Sequence, residues 1–138
     1  MSDCIFCKIV KREIPSNIVY ESEYSIAFLD TTPVNPGHTL VISKSHHETL
    51  LDIPEKELYD CAKTLKKLSL QVMNSVKADG FNIGMNNFEA AGQLVKHAHF
   101  HVIPRFKDDG FKHWEGKNLA LDKIRDITHK IRTFLKQS

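Results

Sequence analysis

The hydrophobic positions along the chain follow a helical period in two long stretches. In the first, residues 55–77, apolar side chains recur every three or four positions, which predicts a helix with one buried face. This stripe consists of Leu58, Cys61, Leu65, Leu68, Val72 and Val76. The second stretch, about 119–136, predicts a C-terminal helix with Leu121, Ile124, Ile127, Ile131 and Leu135 on one side. A shorter helix is predicted over residues 3–12, with Asp3 as its N-cap.

Short runs rich in β-branched and aromatic residues predict five strands. They are Ile18–Glu21, Ser25–Leu29, His38–Ser43, Phe81–Asn86 and His97–Ile103. We expect Pro104 to terminate the last strand, residues 30–37 to form a loop and residues 105–118 to be irregular. This order predicts an α+β fold, mainly an antiparallel sheet with one long helix inserted and one C-terminal helix. The absence of a repeat or linker predicts a single domain over residues 1–138.

Composition and charge narrow the functional classes. The chain has 138 residues, of which 41% are hydrophobic and 26% charged, as in an ordinary globular domain. Its net charge of +2 is too small and too dispersed for binding duplex nucleic acid. No run approaches the roughly 18 apolar residues of a membrane span, and residues 1–7 lack the pattern of a secretion signal. We therefore expect a cytoplasmic protein with reduced thiols.

Three of the eight histidines, His97, His99 and His101, alternate within five residues. Alternate side chains of a strand share a face, so these histidines are predicted to point one way and the apolar residues between them into a core. Neighbouring histidines would lie roughly 6.6 Å apart and the outer pair roughly 13 Å apart. Separate roles are therefore more natural than one three-histidine metal site. A solvent-facing polar strand is the alternative, which the apolar opposite face disfavours.

The pattern His-apolar-His-apolar-His-apolar-apolar resembles the histidine-triad (HIT) superfamily of nucleotide-binding hydrolases and transferases. Further segments resemble the same family and lie in the expected order. They are Cys-Ile-Phe-Cys-Lys-Ile at residues 4–9, Asp30 after a strand, Val-Ile-Ser-Lys-Ser-His at residues 41–46, Gly92-Gln93 and Pro104-Arg105. The resemblance covers residues 3–105, whereas residues 106–138 match only in general character.

The resemblance implies cleavage at the α-phosphorus of purine nucleoside phosphoramidates or dinucleoside polyphosphates, through a nucleotidyl-histidine intermediate. It makes His99 the nucleophile, because a neutral imidazole can attack phosphorus directly. It also implies that His101 hydrogen-bonds a phosphate oxygen or the leaving group. Gln93 and the backbone of the Gly92–Leu94 turn would donate to the phosphoryl oxygens. His38 would orient the triad, although a surface residue starting a strand is an equally good interpretation.

A nucleoside pocket is also implied by the resemblance. Asp30 would accept hydrogen bonds from the ribose hydroxyls, although a turn-forming aspartate is the alternative. Three apolar residues would surround the base, although each could equally serve a core. Leu94 departs from the family, which often has a small hydroxyl residue there to assist the leaving group. The complete implied nucleotide-binding set is Phe6, Phe28, Asp30, Leu40, Asn86, Gly92, Gln93, His99 and His101.

Cys4 and Cys7 form a C-x-x-C pair, which indicates metal or redox chemistry in a reducing compartment. A thioredoxin-like motif would follow a strand, and none is predicted before Cys4. Resemblance to the zinc-containing bacterial branch of the superfamily implies that His46 and His97 complete a structural zinc site. His47 is an alternative to His46. The two cysteines could also be small core residues with no metal.

The resemblance further implies a homodimer that binds a small purine nucleotide and neither a nucleic acid nor a membrane. Leaving-group contacts from Leu94 and residues 105–118 would decide between the two substrate types. A non-catalytic nucleotide-binding regulator with a structural zinc remains the second hypothesis. A nucleic-acid-binding zinc protein is disfavoured, because the zinc ligands are dispersed along the chain.

Overall fold

The apolar runs and periodic stretches form five strands and three α-helices in the computed structural model, which describes residues 3–138. In chain order they are α1 (Ile5–Val10), β1 (Ile18–Glu21), β2 (Ser25–Leu29), β3 (Thr39–Ser43), α2 (Glu55–Ser75), β4 (Gly80–Met85), β5 (His99–Arg105) and α3 (Leu121–Leu135). The strands form one sheet in the order β1-β2-β3-β5-β4, and every neighbouring pair is antiparallel. The predicted α+β fold, with its inserted and C-terminal helices, is confirmed.

The two faces of the sheet carry separate cores. On one face, Phe6 and Ile9 of α1 pack against buried residues of β2 and β3. On the other face, the predicted stripe of α2 buries Cys61, Leu65 and Leu68 against the sheet. The register of β5 on β3 pairs His99 with Ile42 and His101 with Leu40. Because paired residues share a face, both histidines lie on the α1 face, away from the long helix.

Strand β5 differs from its predicted bounds at both ends. It begins at His99, because His97 packs beside the cysteines of the N-terminal segment and Ala98 donates its amide to the His47 carbonyl (2.6 Å). It continues through Pro104 to Arg105. Strand β3 pairs with β5 only as far as Val102. Pro104 therefore has a neighbouring strand on one side only, a setting in which proline is tolerated.

Other predicted boundaries are wrong by one or two residues. The N-cap of α1 is Cys4 and not Asp3, and it makes no side-chain capping bond. Strand β3 starts one residue late, because the amide of His38 is bonded to the Asn35 carbonyl in a turn. Helix α2 ends at Ser75, and Lys77 has a positive φ of 56° before β4 begins.

Apolar surface remains exposed on β4 and on the C-terminal part of the chain. Phe81 and Ile83 of β4 are paired with Pro104 and Val102, and so lie on the α2 face, yet they are 40% and 47% exposed. The stripe of α3 is exposed along its whole length. Residues 106–120 contain neither helix nor strand, as predicted. Within residues 3–138, no helix is both long and apolar enough to cross a membrane.

Candidate active site and metal site

A pocket of about 390 Å³ lies on the α1 face of the sheet, beside the β5 histidines. Of the nine predicted nucleotide-binding residues, eight line it: Phe6, Phe28, Asp30, Leu40, Asn86, Gly92, His99 and His101. Leu94, the expected leaving-group contact, also lines the pocket, and sequence reasoning missed a further group: Ile5, Ile9, Ile14, Pro15, Ser16, Leu29, Thr31, Thr32 and Val95. The apolar members resemble core residues in the sequence, so only neighbourhood to Phe6, Asp30 or Gly92 could have indicated them.

The proton of His99 is placed by the backbone of the preceding histidine. Its Nδ1 lies 2.7 Å from the His97 carbonyl oxygen. A carbonyl can only accept, so Nδ1 carries the proton and Nε2 keeps its lone pair. The side chain is 7% exposed and meets the Phe6 ring edge-on, with 5.1 Å between ring centroids. Burial lowers the pKa of His99 below its usual value, which keeps the imidazole neutral.

His101 has the opposite tautomer, set by a chain of two hydrogen bonds. The amide of Val34 donates to His38 Nδ1 (3.0 Å), so the proton of neutral His38 is on Nε2. That Nε2 lies 2.9 Å from His101 Nδ1 and donates to it. The proton of His101 is therefore on Nε2. Within residues 3–138, this Nε2 is the one buried side-chain nitrogen or oxygen without a hydrogen-bond partner.

Burial also keeps the imidazoles of His38 and His101 neutral. Burial, together with the nearby His99 and His38, lowers the pKa of His101 to about 4. Burial lowers the pKa of His38 as well, although the negative charge of Asp30 opposes this shift. His38 itself lies behind His101 and does not line the pocket.

Asp30 forms the turn that the sequence offered as one interpretation, and it also lines the pocket. Its Oδ1 accepts hydrogen bonds from the amide and hydroxyl of Thr32, at 2.8 and 3.2 Å, which form a local turn. Its Oδ2 lies 3.7 Å from His38 Nε2 and borders the pocket. One carboxylate oxygen thus holds the loop, and the other remains near the histidines.

The predicted phosphate donor Gln93 points away from the pocket. Its Oε1 accepts from the Phe88 amide (2.8 Å), and its Nε2 donates to the carbonyls of Glu48 (2.6 Å) and Val95 (3.1 Å). In this structure the side chain therefore holds the 86–95 loop. The neighbouring Leu94 is 94% exposed at the rim of the pocket.

Four potential metal ligands converge beside the N-terminal helix. The ligand atoms of Cys4, Cys7, His46 and His97 all lie within 4.8 Å of one another. The Nδ1 atoms of His97 and His46 lie 3.3–3.6 Å from the cysteine sulfurs. A tetrahedral zinc with Zn–S near 2.3 Å and Zn–N near 2.0 Å would separate sulfur and nitrogen by about 3.5 Å. The donor set therefore fits a closed tetrahedral site.

The orientation of His97 also fits metal binding. Its Nε2 lies 2.7 Å from the Ser43 carbonyl, so Nε2 donates and the lone pair is on Nδ1, which faces the cysteines. The side chain is fully buried, and burial lowers its pKa to about 4, which keeps the ring neutral for coordination. His47, the alternative ligand, instead bonds Glu57 at 3.0 Å.

Comparison with known proteins identifies the family. The HIT domain family matches residues 11–108, which is more than half of the chain. The chain belongs to the HIT family. The resemblance drawn from the histidine strand is thereby confirmed at the level of the family.

Three relatives illustrate the similarity. The adenosine 5'-monophosphoramidase HNT1 of Saccharomyces cerevisiae is 40% identical over 129 residues, covering 92% of this chain and 78% of that protein. The crystal structure of SMU.412c from Streptococcus mutans has a TM-score of 0.92 at 38% identity, covering 98% of this chain and 87% of that one. A zinc-bound histidine triad family protein from Mycobacterium smegmatis has a TM-score of 0.76 at 35% identity, covering 85% of each chain.

Proposed function

We propose that this HIT protein is a nucleotide hydrolase or nucleotidyl transferase that cleaves at the α-phosphorus through a nucleotidyl-His99 intermediate. The observation that carries the proposal is the pair of opposite tautomers in one pocket. His99 has a lone pair on Nε2, whereas His101 has a buried Nε2–H without a partner. A nucleophile beside a preorganised donor is the arrangement that phosphoryl transfer requires.

In the first step, the Nε2 lone pair of His99 forms a bond to the α-phosphorus while the bond to the leaving group breaks. The leaving group takes up a proton from water. The Nε2–H of His101 donates to a phosphoryl oxygen, where negative charge accumulates in the transition state. The His97 carbonyl stabilises the positive charge that develops on the ring of His99, because it holds the Nδ1–H. Water then attacks phosphorus, breaks the P–N bond and restores neutral His99.

The nucleoside is bound by the apolar and carboxylate side chains of the same pocket. Phe6, Phe28 and Leu40 offer an apolar surface for a purine, and the free side of Asp30 offers an acceptor for ribose hydroxyls. Among substrates, we favour purine nucleoside phosphoramidates over dinucleoside polyphosphates. Similarity to the yeast monophosphoramidase supports this choice.

The test is AMP release from adenosine phosphoramidate and from diadenosine tetraphosphate, by wild type, His99→Ala and His129→Ala. His129 lies on the exposed helix α3 and serves as a histidine control. We expect release by wild type and His129→Ala, faster with the phosphoramidate, and none by His99→Ala. AMP binding without release from either substrate would instead support the non-catalytic regulator. Release by His99→Ala at the wild-type rate would contradict the proposed nucleophile.

We further propose that Cys4, Cys7, His46 and His97 bind a structural zinc, as in the zinc-containing branch of the family. The four converging ligand atoms support this assignment. The hydrogen bond from His97 Nε2 to the Ser43 carbonyl also supports it, because it leaves the Nδ1 lone pair available to the metal. A zinc in this site would supply a link between α1, the segment after β3 and the start of β5. All four ligands are protein side chains, so no open coordination position remains for a catalytic water.

We also propose a homodimer formed by the exposed apolar surface of β4 and α3. Strand β4 is an unpaired edge of the sheet, and Phe81 and Ile83 extend the α2 face beyond the cover of α2. The stripe of α3 has no cover along its length in the single chain. Contiguous exposed apolar surface of this kind is typical of protein interfaces. A second copy would bury both surfaces at once around a two-fold axis.

A further inference from the structure

We propose that Asn35 and Asp109, which lie outside the pocket, are positioning residues that fix the tautomer of His101. They would do so by holding the 34–38 turn, whose Val34 amide binds His38. This inference rests on the proposed function, because it assigns to His101 the role of a phosphoryl donor. It adds residues to the site that do not touch the nucleotide.

The Val34 amide determines the tautomer of both histidines. If that N–H moved away from His38 Nδ1, no hydrogen bond would keep the proton of His38 off Nδ1, and only the charge of Asp30, 3.7 Å from Nε2, would still favour Nε2. His38 could then accept a proton from His101, and His101 would present a lone pair to the pocket. A lone pair repels a phosphoryl oxygen, whereas an N–H stabilises it. The position of one backbone amide therefore decides whether His101 assists or opposes the reaction.

Asn35 ties the turn to the strand that carries His101. Its Nδ2 donates to the Pro104 carbonyl (2.9 Å), three residues after His101 on β5, and to Asp109 Oδ2 (3.0 Å). Its own carbonyl accepts the His38 amide (3.1 Å), which closes the turn. The Val34 amide, His38 and His101 are thus all held to β5. The distance from the Val34 amide to His38 Nδ1 is therefore fixed.

Asp109 holds Asn35 from the segment after β5. Its side chain is 5% exposed and accepts bonds from Arg105 Nε (2.7 Å) and Nη2 (3.1 Å). It also accepts the amides of Phe106 (3.1 Å) and Phe111 (3.0 Å). These bonds hold the pKa of Asp109 well below its usual range, so the carboxylate stays charged. A buried, ionised carboxylate with this many donors has one fixed position. Its hydrogen bond to Asn35 fixes the position of the Asn35 side chain as well.

The tautomers are measured directly by long-range proton–nitrogen NMR on the full chain labelled with ¹⁵N-histidine, at neutral pH. We compare wild type with Asn35→Ala and Asp109→Asn. Asn82→Ala is the matched control, since it removes a bond to Arg105 (2.8 Å) at the same end of the sheet without touching the turn. Circular dichroism establishes that each variant is folded. The kinetic readout is kcat and KM on adenosine phosphoramidate.

We expect wild type and Asn82→Ala to have the proton of His38 and His101 on Nε2. In Asn35→Ala both residues should show mixed tautomers, with kcat lower by about 10- to 100-fold and KM little changed. Asp109→Asn should shift the tautomers in the same direction. It is the variant on which the proposal is tested if Asn35→Ala does not fold. Wild-type tautomers in folded Asn35→Ala or Asp109→Asn would overturn the proposal, as would an equal shift in Asn82→Ala. The predicted tautomers in a wild type that releases no AMP would overturn the proposed function alone.

Discussion

At the scale of residues, the chemistry depends on where three imidazole protons are placed. Backbone groups place them: the His97 carbonyl fixes His99, and the Val34 amide fixes His38 and thereby His101. Both contacts depend on local chain geometry that no spacing in the sequence encodes. The sequence therefore predicted which histidines lie together but not which nitrogen of each carries the proton.

The pH dependence of kcat/KM follows from burial of the histidines. Protonated His99 has no lone pair, so activity falls as pH decreases through its pKa. Burial lowers the pKa values of His99 and His101, the latter to about 4, so this loss is moved to lower pH. We predict that kcat/KM is retained on acidification through about pH 6.5, the usual histidine pKa, and falls only below it. An acid limb centred above about pH 6.5 would contradict the prediction.

Leu94 provides a second prediction at this scale. A hydroxyl group at this exposed rim position could donate to the leaving group, which leucine cannot do. We predict that Leu94→Ser raises kcat for adenosine phosphoramidate by about 2- to 10-fold and leaves AMP affinity unchanged. Leu94→Ala is the matched control for loss of the apolar side chain. An equal gain in Leu94→Ala would show that the hydroxyl group is not responsible.

At the scale of elements, the sequence predicted most of what positions the site. Strict alternation placed His99 and His101 on one face of β5, and the α2 stripe was found buried on the other. Gln93 shows the limit of this reasoning. The family resemblance assigns it to the phosphate, whereas a bond to Glu48, 45 positions away, and a bond to Phe88 hold it in the loop here. Asn35 gave no signal, because its partners Pro104 and Asp109 lie 69 and 74 positions further along the sequence.

The proposed metal site connects three elements and predicts a coupled loss of metal and stability. Cys7→Ser removes one of four ligands and should abolish zinc binding, measured as metal per chain after gel filtration. Structural zinc supplies several kcal/mol to folding, so the melting temperature should fall by about 10 °C or more. Cys61→Ser, in the α2 core, should lower stability and retain the metal. Full zinc content in Cys7→Ser would contradict the ligand set.

At the scale of the whole molecule, the last fifth of the chain carries an uncovered apolar face. Residues 111–127 and 129–138 are all exposed, although α3 is well formed and amphipathic. An isolated helix of this length is marginal in water unless an apolar face is covered. The stability of this part of the fold is therefore expected to depend on association between two chains.

We predict that the protein is a dimer by light scattering coupled to size-exclusion chromatography. Ile131→Glu places a charge on the exposed stripe and should shift the mass to that of a monomer. Thr133→Glu places the same charge on the opposite side of α3 and should leave the dimer intact. A monomeric wild type, or a dimer that survives Ile131→Glu, would contradict the proposed interface.

The most direct test of the account is to capture the covalent intermediate. Wild type and His99→Ala are mixed with adenosine phosphoramidate, quenched within the first turnover under conditions that preserve P–N bonds, and analysed by intact mass and peptide mapping. The account predicts that wild type gains the mass of one adenylyl group, located on His99, and that the adduct disappears as AMP is released. No gain in mass during observed turnover, or an adduct on another residue that persists in His99→Ala, would contradict it.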